Sequence, residues 1–203
     1  ADNAPDLYDY EMKNNTRNKT TFGDWSADFY IWKNKKFNIT KDDFLRFFGK
    51  PNEAKNGRFS WSGEPCPTIK GFNKFGQRLL VDKNKNIVIE YSYTKDTRGD
   101  KANIVPVAMQ IKKLKLAQWD VDSIREKVEN KFNKKGWFKC LKDSEGLYSE
   151  IVFGAPITFE NWIEAVKKGD IFFDSGMYQG NARNYSQWRA TNAYWDNLVT
   201  DRH

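Results

Sequence analysis

Asp6, Asp9, Glu11 and Lys13 lie within the run Pro5-Asp6-Leu7-Tyr8-Asp9-Tyr10-Glu11-Met12-Lys13. Carboxylates grouped this way are hard oxygen donors that can hold a Mg2+ ion against a phosphate, and a neighbouring ammonium can assist an attacking water. That is the equipment of metal-assisted phosphodiester hydrolysis. In a strand, residues two apart share a face and stand about 6 to 7 Å from each other, so Glu11 and Lys13 would project together. The peptide carbonyl of Met12 between them would add an oxygen ligand. Asp9 belongs to the same face by alternation, whereas Asp6 lies upstream of the strand and has to swing in beside Glu11. The solvated face of any amphipathic strand also carries Glu-x-Lys, so spacing alone leaves both readings open.

The elements that must position these groups follow from periodicity and capping residues. Alternation of Tyr8, Tyr10 and Met12 with Asp9, Glu11 and Lys13 predicts a strand over 8–13 with Met12 pointing inward. A polar turn over 14–20 and a second strand over 25–32 follow. Thr40, with Asp43 three residues on, caps a short helix carrying Phe44, Leu45 and Phe48 and ending at Gly49. The stretch 60–72 reads as loop or irregular sheet, and 77–81 pairs with 87–93 as a hairpin across 82–86. Asp120 or Asp122 caps a helix with Val121, Ile124, Val128 and Phe132 on one face, stopping at Gly136. Strands over 137–141 and 147–153 precede a helix opened by Pro156 and Thr158, with Phe159, Trp162, Ile163 and Val166 inward and Gly169 at its end. After a short strand at 171–173, the residues to 195 are aromatic and Asn-rich without clean periodicity. The pattern is that of a mixed α/β or α+β domain on a mainly antiparallel or mixed sheet.

Composition narrows the chemistry further. In 203 residues, 39% hydrophobic and 16% aromatic content with 8 Trp is enough for an ordered core. Lys and Arg exceed Asp and Glu by 34 to 27, and a net charge of +7 favours polyanionic partners, nucleic acid or an anionic membrane surface. Cys66 and Cys140 are far apart with no CxxC spacing, which points to reduced thiols and away from zinc. No apolar run approaches the roughly 20 residues of a membrane helix, and the polar start lacks a signal-peptide core, so the expectation is an intracellular (cytoplasmic) protein that contacts no membrane. His203, the single histidine, argues against a histidine-based triad or metal site.

The segment Asn3-Ala4-Pro5-Asp6-Leu7-Tyr8-Asp9-Tyr10-Glu11-Met12-Lys13 resembles the active-site segment of the MvaI/BcnI-type restriction endonucleases, which share a fold with the mismatch-repair nicking enzyme MutH. Phe44-Leu45-Arg46-Phe47-Phe48-Gly49-Lys50, the hairpin over 79–93, the amphipathic helix after Trp119, and the stretch from Trp162 to Asp174 ending in Gly-Asp-Ile-x-x-Asp keep the family's order over nearly the whole chain. The resemblance implies an α/β (α+β), PD-(D/E)xK nuclease-like fold: a mixed central sheet flanked by helices, MutH-like. It implies a Mg2+-dependent, sequence-specific endonuclease of the type II restriction class, acting as a monomer on a short site in double-stranded DNA. Asp6, Glu11 and the Met12 carbonyl would bind the metal, Lys13 would stand beside the water, and Asp9 would support them. The other function weighed is a sequence-reading DNA-binding module, or a MutH-like nickase with little double-strand cleavage. The family's helix upstream of the motif, which adds an acidic residue, has no counterpart in this sequence. The expectation is therefore a fragment: a single nuclease domain over 1–203, catalytic over about 1–115 and DNA-recognising over about 116–203, lacking an upstream helix or N-terminal domain.

Arg reads guanine, Asn or Gln reads adenine, and Asp or Glu takes the cytosine amino group. Asp174, Gln179, Asn181, Arg183, Asn184, Gln187 and Arg189 supply that set among Tyr178, Tyr185 and Trp188. The resemblance makes this the recognition region, with Asp174 and Arg189 matching best. Family histidines near this region are replaced by the run from Gly176 to Tyr185, so the target sequence should differ. A loop whose aromatics pack on the sheet and whose amides satisfy backbone would carry the same residues. Arg98, between Lys95 and Lys101, is a candidate phosphate contact, as are Lys112, Lys113 and Lys115.

Overall fold

A computed structural model describes residues 4–14 and 18–203; Asn3 of the motif segment and residues 15–17 of the expected polar turn lie outside the described residues. In chain order the elements are β1 (Glu11–Met12), β2 (Lys19–Asp24), β3 (Phe29–Tyr30), α1 (Lys41–Phe48), β4 (Lys50–Pro51), β5 (Phe59–Ser60), β6 (Phe75–Val81), β7 (Ile87–Asp96), α2 (Lys101–Ile104), β8 (Leu114–Trp119), α3 (Val121–Phe132), β9 (Trp137–Lys142), β10 (Tyr148–Gly154), α4 (Phe159–Lys168), β11 (Ile171–Ser175), β12 (Ser186–Thr191), α5 (Asn192–Asp196) and β13 (Val199–Arg202).

These elements form two compact units: Ala1–Gly23 with Asp122–Ile171 and Arg189–His203, and Asp24–Val121 with Phe172–Trp188. The chain leaves the first unit at β2, returns at α3, and makes a second excursion over Phe172–Trp188.

In the first unit the sheet order is β1-β9-β10-β13. β1 runs parallel to β9, placing Glu11 opposite Trp137 and Met12 opposite Phe138, while β9, β10 and β13 pair antiparallel. The helices follow the sequence pattern. α3 buries Ile124, Val128 and Phe132, and α4 buries Phe159, Trp162, Ile163 and Val166. Thr158 accepts from the Asn161 N–H at the start of α4, and Gly169 ends it in the left-handed conformation at φ 84°. Phe22 is the centre of this core, with ring centroids 4.3 Å from Trp195 and 5.4 Å from Phe132. Each such fully buried aromatic contributes roughly 1.5–3 kcal/mol over exposure.

In the second unit the sheet order is β3-β8-β7-β6, antiparallel throughout. The β6–β7 hairpin extends beyond its expected bounds, to Phe75 opposite Asp96, and Asp82 Oδ1 closes its turn by accepting from the Asn84 and Asn86 N–H groups. Thr40 and Asp43 form the capping box of α1, which buries Phe44, Leu45 and Phe48. Trp119 and Phe173 pack edge to face at 5.2 Å, and Trp61 and Trp188 join them.

Several expectations are corrected. Residues 8–13 are not one strand: Leu7 and Tyr10 exchange backbone hydrogen bonds of 3.0 and 2.8 Å around a turn in which Tyr8 and Asp9 take φ of 46° and 68°. The faces are also inverted, since Glu11 and Lys13 are buried while Met12 is 43% exposed. The second strand lies at Lys19–Asp24, where Thr20, Thr21 and Phe22 favour extended backbone, and only Phe29–Tyr30 of 25–32 is strand. Within 174–195, β12 alternates buried Trp188 and Ala190 with Gln187 and Arg189, and α5 follows under a Thr191 cap. β8 lies unannounced among Lys112, Lys113 and Lys115, with Leu114, Leu116 and Trp119 buried.

Gly136 links α3 to β9 at φ +94°, and a Cβ there would lie 2.2 Å from the Gly154 carbonyl oxygen. The Gly136 carbonyl also accepts from the Glu11 N–H at 3.0 Å. Combining left-handed strain with overpacking, Gly136→Ala should lose about 2–4 kcal/mol of stability in urea unfolding. A loss below about 0.5 kcal/mol would show that this backbone conformation is not required.

Candidate active site

Parallel pairing with β9 directs the main chain of alternate residues in β1 toward its neighbour: Glu11 N–H donates to Gly136 and Lys13 N–H to the Phe138 carbonyl, at 3.0 and 2.8 Å. The N–H and carbonyl of Met12 therefore face away from β9, at the edge of the sheet. Asp6 occupies that edge. Its Oδ2 accepts from the Met12 N–H at 3.0 Å, so the Leu7–Tyr10 turn folds Asp6 back alongside the strand. Asp9, at the tip of the same turn, is exposed and pairs with Lys134 at 3.4 Å.

The Glu11 carboxylate is buried and its two oxygens are treated differently. Oε1 accepts from Lys13 Nζ at 2.6 Å and forms an ion pair with Lys131 Nζ at 3.0 Å. Oε2 is buried with no hydrogen-bond partner among the described residues. Lys13 Nζ also donates to the Thr21 and Phe22 carbonyls at 3.0 and 3.3 Å, so each of its three hydrogens has a protein oxygen. Its ammonium lies 4.9 Å from the Phe132 ring centroid. Burial pushes the Lys13 pKa down to about 8, against the pull of the Glu11 charge and hydrogen bond; Lys131 pushes it further down and Asp6 raises it.

Lys131 did not stand out as a site residue in the sequence. The signal was present, because it follows Val128 by three and Ile124 by seven, on the inward face of α3. Among the described residues no three of His, Cys, Asp and Glu come together as a metal cluster. A cation here would have two carboxylates, a carbonyl and water. That set is all oxygen, and an unpartnered buried Oε2 fits a hard divalent ion that keeps several waters.

The base-reading candidates have varied surroundings. Gln179 ties its loop to β5 and α1, accepting from the Phe59 N–H at 3.0 Å and donating to the Asp42 carbonyl at 3.2 Å. Asn181 Oδ1 accepts from the Arg183 N–H at 2.9 Å. The Tyr178 ring has Lys55 Nζ and the Arg58 guanidinium each 4.7 Å from its centroid. Arg183 is exposed, paired with Asp24 at 2.7 Å and stacked over Tyr185 at 4.6 Å. Asn184 keeps a buried Oδ1 with no hydrogen-bond partner among the described residues. Asp174 alternates with buried Phe173 and Ser175 on β11, as Gln187 and Arg189 do with Trp188 and Ala190 on β12. Arg98 departs from expectation: it is 8% exposed, locked to Asp96 at 3.0 and 2.7 Å and stacked over Phe75. Its Nε and Nη2 bind a buried carboxylate, so most of the side chain is enclosed and the guanidinium is held within an ion pair.

The chain is similar to known proteins over its whole length. The profile of the LlaMI restriction endonuclease family matches residues 1–203, the whole chain. The chain belongs to that family. The type II restriction enzyme ScrFI of Lactococcus lactis subsp. cremoris is 49% identical over 223 aligned positions, covering 100% of this chain and 82% of that protein. The restriction endonuclease MvaI, solved with its cognate DNA substrate, matches with a TM-score of 0.58 at 15% identity, over 100% of this chain and 81% of that one. MvaI without DNA matches at 0.50 and 15%, covering 98% and 79%. At that identity the likeness to MvaI is one of fold: mixed α/β, with several sheets and few helices. As a member of the LlaMI restriction endonuclease family the chain is a site-specific deoxyribonuclease. No helix among its described residues is long and apolar enough to cross a membrane.

The Lys13 environment gives a pH signature. Between its folded value of about 8 and its ordinary value of 10.5 the unfolded chain binds more protons, so the contribution of neutral Lys13 to stability is fully present above 10.5 and lost as pH falls through 8. In EDTA, raising the pH from about 7.5 to about 9.5 should increase the unfolding free energy of the wild type over that of Lys13→Met by about 1–2 kcal/mol. A difference that stays flat over this range would contradict the assigned pKa.

Proposed function

We propose that this endonuclease cuts double-stranded DNA at a short specific site with Mg2+, using Glu11 Oε2, Asp6 and the Met12 carbonyl as the protein's metal ligands. The observation that carries the proposal is the asymmetry of Glu11, with Oε1 held by two lysines and Oε2 buried with no hydrogen-bond partner among the described residues. A bound Mg2+ would supply an activated water and charge stabilisation at the phosphate. Water adds to phosphorus, and the ester oxygen leaves with the bonding pair and takes up a proton.

The chain's own groups prepare that event. Asp6 is fixed at the sheet edge by the Met12 N–H, beside the outward carbonyl. Lys13, expected beside the water, has its hydrogens on Glu11 and two carbonyls, so it acts by holding Glu11 in a single orientation and balancing its charge. The net charge of +7 draws the polyanion in. Asp174, Arg183, Gln187 and Arg189 are the base-reading set we favour, with Tyr178, Gln179, Asn181, Asn184 and Tyr185 shaping the loop between β11 and β12. The protein acts as a monomer, with metal chemistry in the unit containing Glu11 and most of the reading segment in the other.

Glu11→Gln keeps an oxygen for the lysines while removing the charge, so the variant should fold. With Mg2+ it should cut plasmid at least about 1,000-fold more slowly, and Asp6→Asn about 100-fold more slowly, while DNA affinity in Ca2+ stays within about threefold. Wild-type cleavage by Glu11→Gln would sink the assignment, and sequencing the ends of digested DNA would report the site and whether both strands are cut.

A further inference from the structure

We infer that Lys131 is a second active-site cation, contacting a non-bridging oxygen of the scissile phosphate directly. The inference rests on the reading of Glu11 as the metal ligand and assigns a residue outside the motif segment.

Two lysines meet at Glu11 Oε1, and they are not equivalent. Lys13 Nζ is surrounded by Glu11 and the Thr21 and Phe22 carbonyls, so a phosphate oxygen would find no free hydrogen there. Lys131 has Glu11 Oε1, 3.0 Å away, as its one ion-pair partner among the described residues. Its side chain is 16% exposed against 7% for Lys13, so it is the lysine of the pair with access to the outside. Among the described residues at least two of its three hydrogens lack a protein acceptor, and a largely buried ammonium in that state attracts an anion.

The frame behind Lys131 is rigid. Ile124, Val128 and Phe132 of the same helix are fully buried. The helix therefore presents the ammonium from a fixed position, the requirement for stabilising charge that develops in a transition state. The Glu11 contact holds the lysine beside the carboxylate that would bind the metal.

Single-turnover cleavage by Lys131→Met should fall about 100-fold, with the Mg2+ concentration for half-maximal rate unmoved within about threefold, and Lys131→Arg should recover about tenfold. In EDTA, a neutral methylphosphonate at the scissile position should weaken binding by wild type by about tenfold, and binding by Lys131→Met by less than about twofold. The proposal is overturned if Lys131→Met cleaves within about threefold of wild type. It is overturned equally if saturating Mg2+ restores its rate, because Lys131 would then act only through Glu11. The wild-type methylphosphonate measurement stands even if the methionine variant fails to fold, and equal binding of the two DNAs by wild type rejects the contact. Glu11→Gln separates the two readings. If it is inactive while Lys131→Met is normal, only the Lys131 assignment fails; if Glu11→Gln cleaves, the reading of the site fails.

Discussion

A buried carboxylate shared by two lysines is the constraint around which the first unit is organised. Removing an isolated charge from water costs several kcal/mol even after relaxation, and the cost is tolerated only when partners are close and well aligned. Glu11 has Lys13 at 2.6 Å and Lys131 at 3.0 Å, and Lys13 has two main-chain carbonyls besides. Those carbonyls belong to β2, Lys131 to α3, and the ring stacked near Lys13 to Phe132. One ionic cluster therefore ties β1, β2 and α3 together, and the aromatic core of Phe22, Phe132 and Trp195 excludes water from its inner side.

The second unit spends its polar groups differently. The first turn of α1 holds the loop after β11: Lys41 Nζ donates to the Asn181 and Arg183 carbonyls at 2.7 and 2.9 Å, and the Asp42 carboxylate accepts from the Gly180 N–H at 3.1 Å. Gln179 bonds within the same assembly. Amides that suggested base reading are thus partly scaffold, and the loop they fix displays Arg183 and Tyr185. A loop held this way loses little conformational freedom when it meets a partner, which is how a rigid framework lends precision to irregular backbone.

Much of this was legible in the sequence where a local rule acts alone. The Thr40 capping box, the three-and-four spacing of α3 and α4, and the β6–β7 hairpin needed only propensity and period. The strand β1 departs from expectation because alternation says which residues share a face, not which face is buried. Placing Met12 inside and Glu11 with Lys13 outside is the right default for uncompensated charges, and it failed because a second lysine, 118 to 120 positions away in sequence, supplies compensation. The turn at Tyr8 and Asp9 carries none of the Gly or Asn that normally mark positive φ. The resemblance singled out Asp6 over Asp9 where alternation could not, and the structure puts Asp6 on the Met12 amide and Asp9 with Lys134.

That turn shows how local strain and site geometry are connected. A straight strand over 8–13 would carry Asp6 about 20 Å from Lys13 along the chain, at about 3.3 Å per residue. Reversing direction between Leu7 and Tyr10 brings Asp6 back to Met12, but a two-residue reversal of this kind needs left-handed backbone at both central positions. Tyr8 and Asp9 adopt it without a glycine, at a cost of order 1–3 kcal/mol each. The turn also leaves Tyr8 82% exposed at its tip. A more relaxed connection would leave the upstream carboxylate remote from the strand edge, so the strain and the position of Asp6 have the same origin. Compensation comes from the neighbouring packing: β1 is only two residues long, yet it is held by the Gly136 and Phe138 carbonyls and by the ionic cluster beneath it.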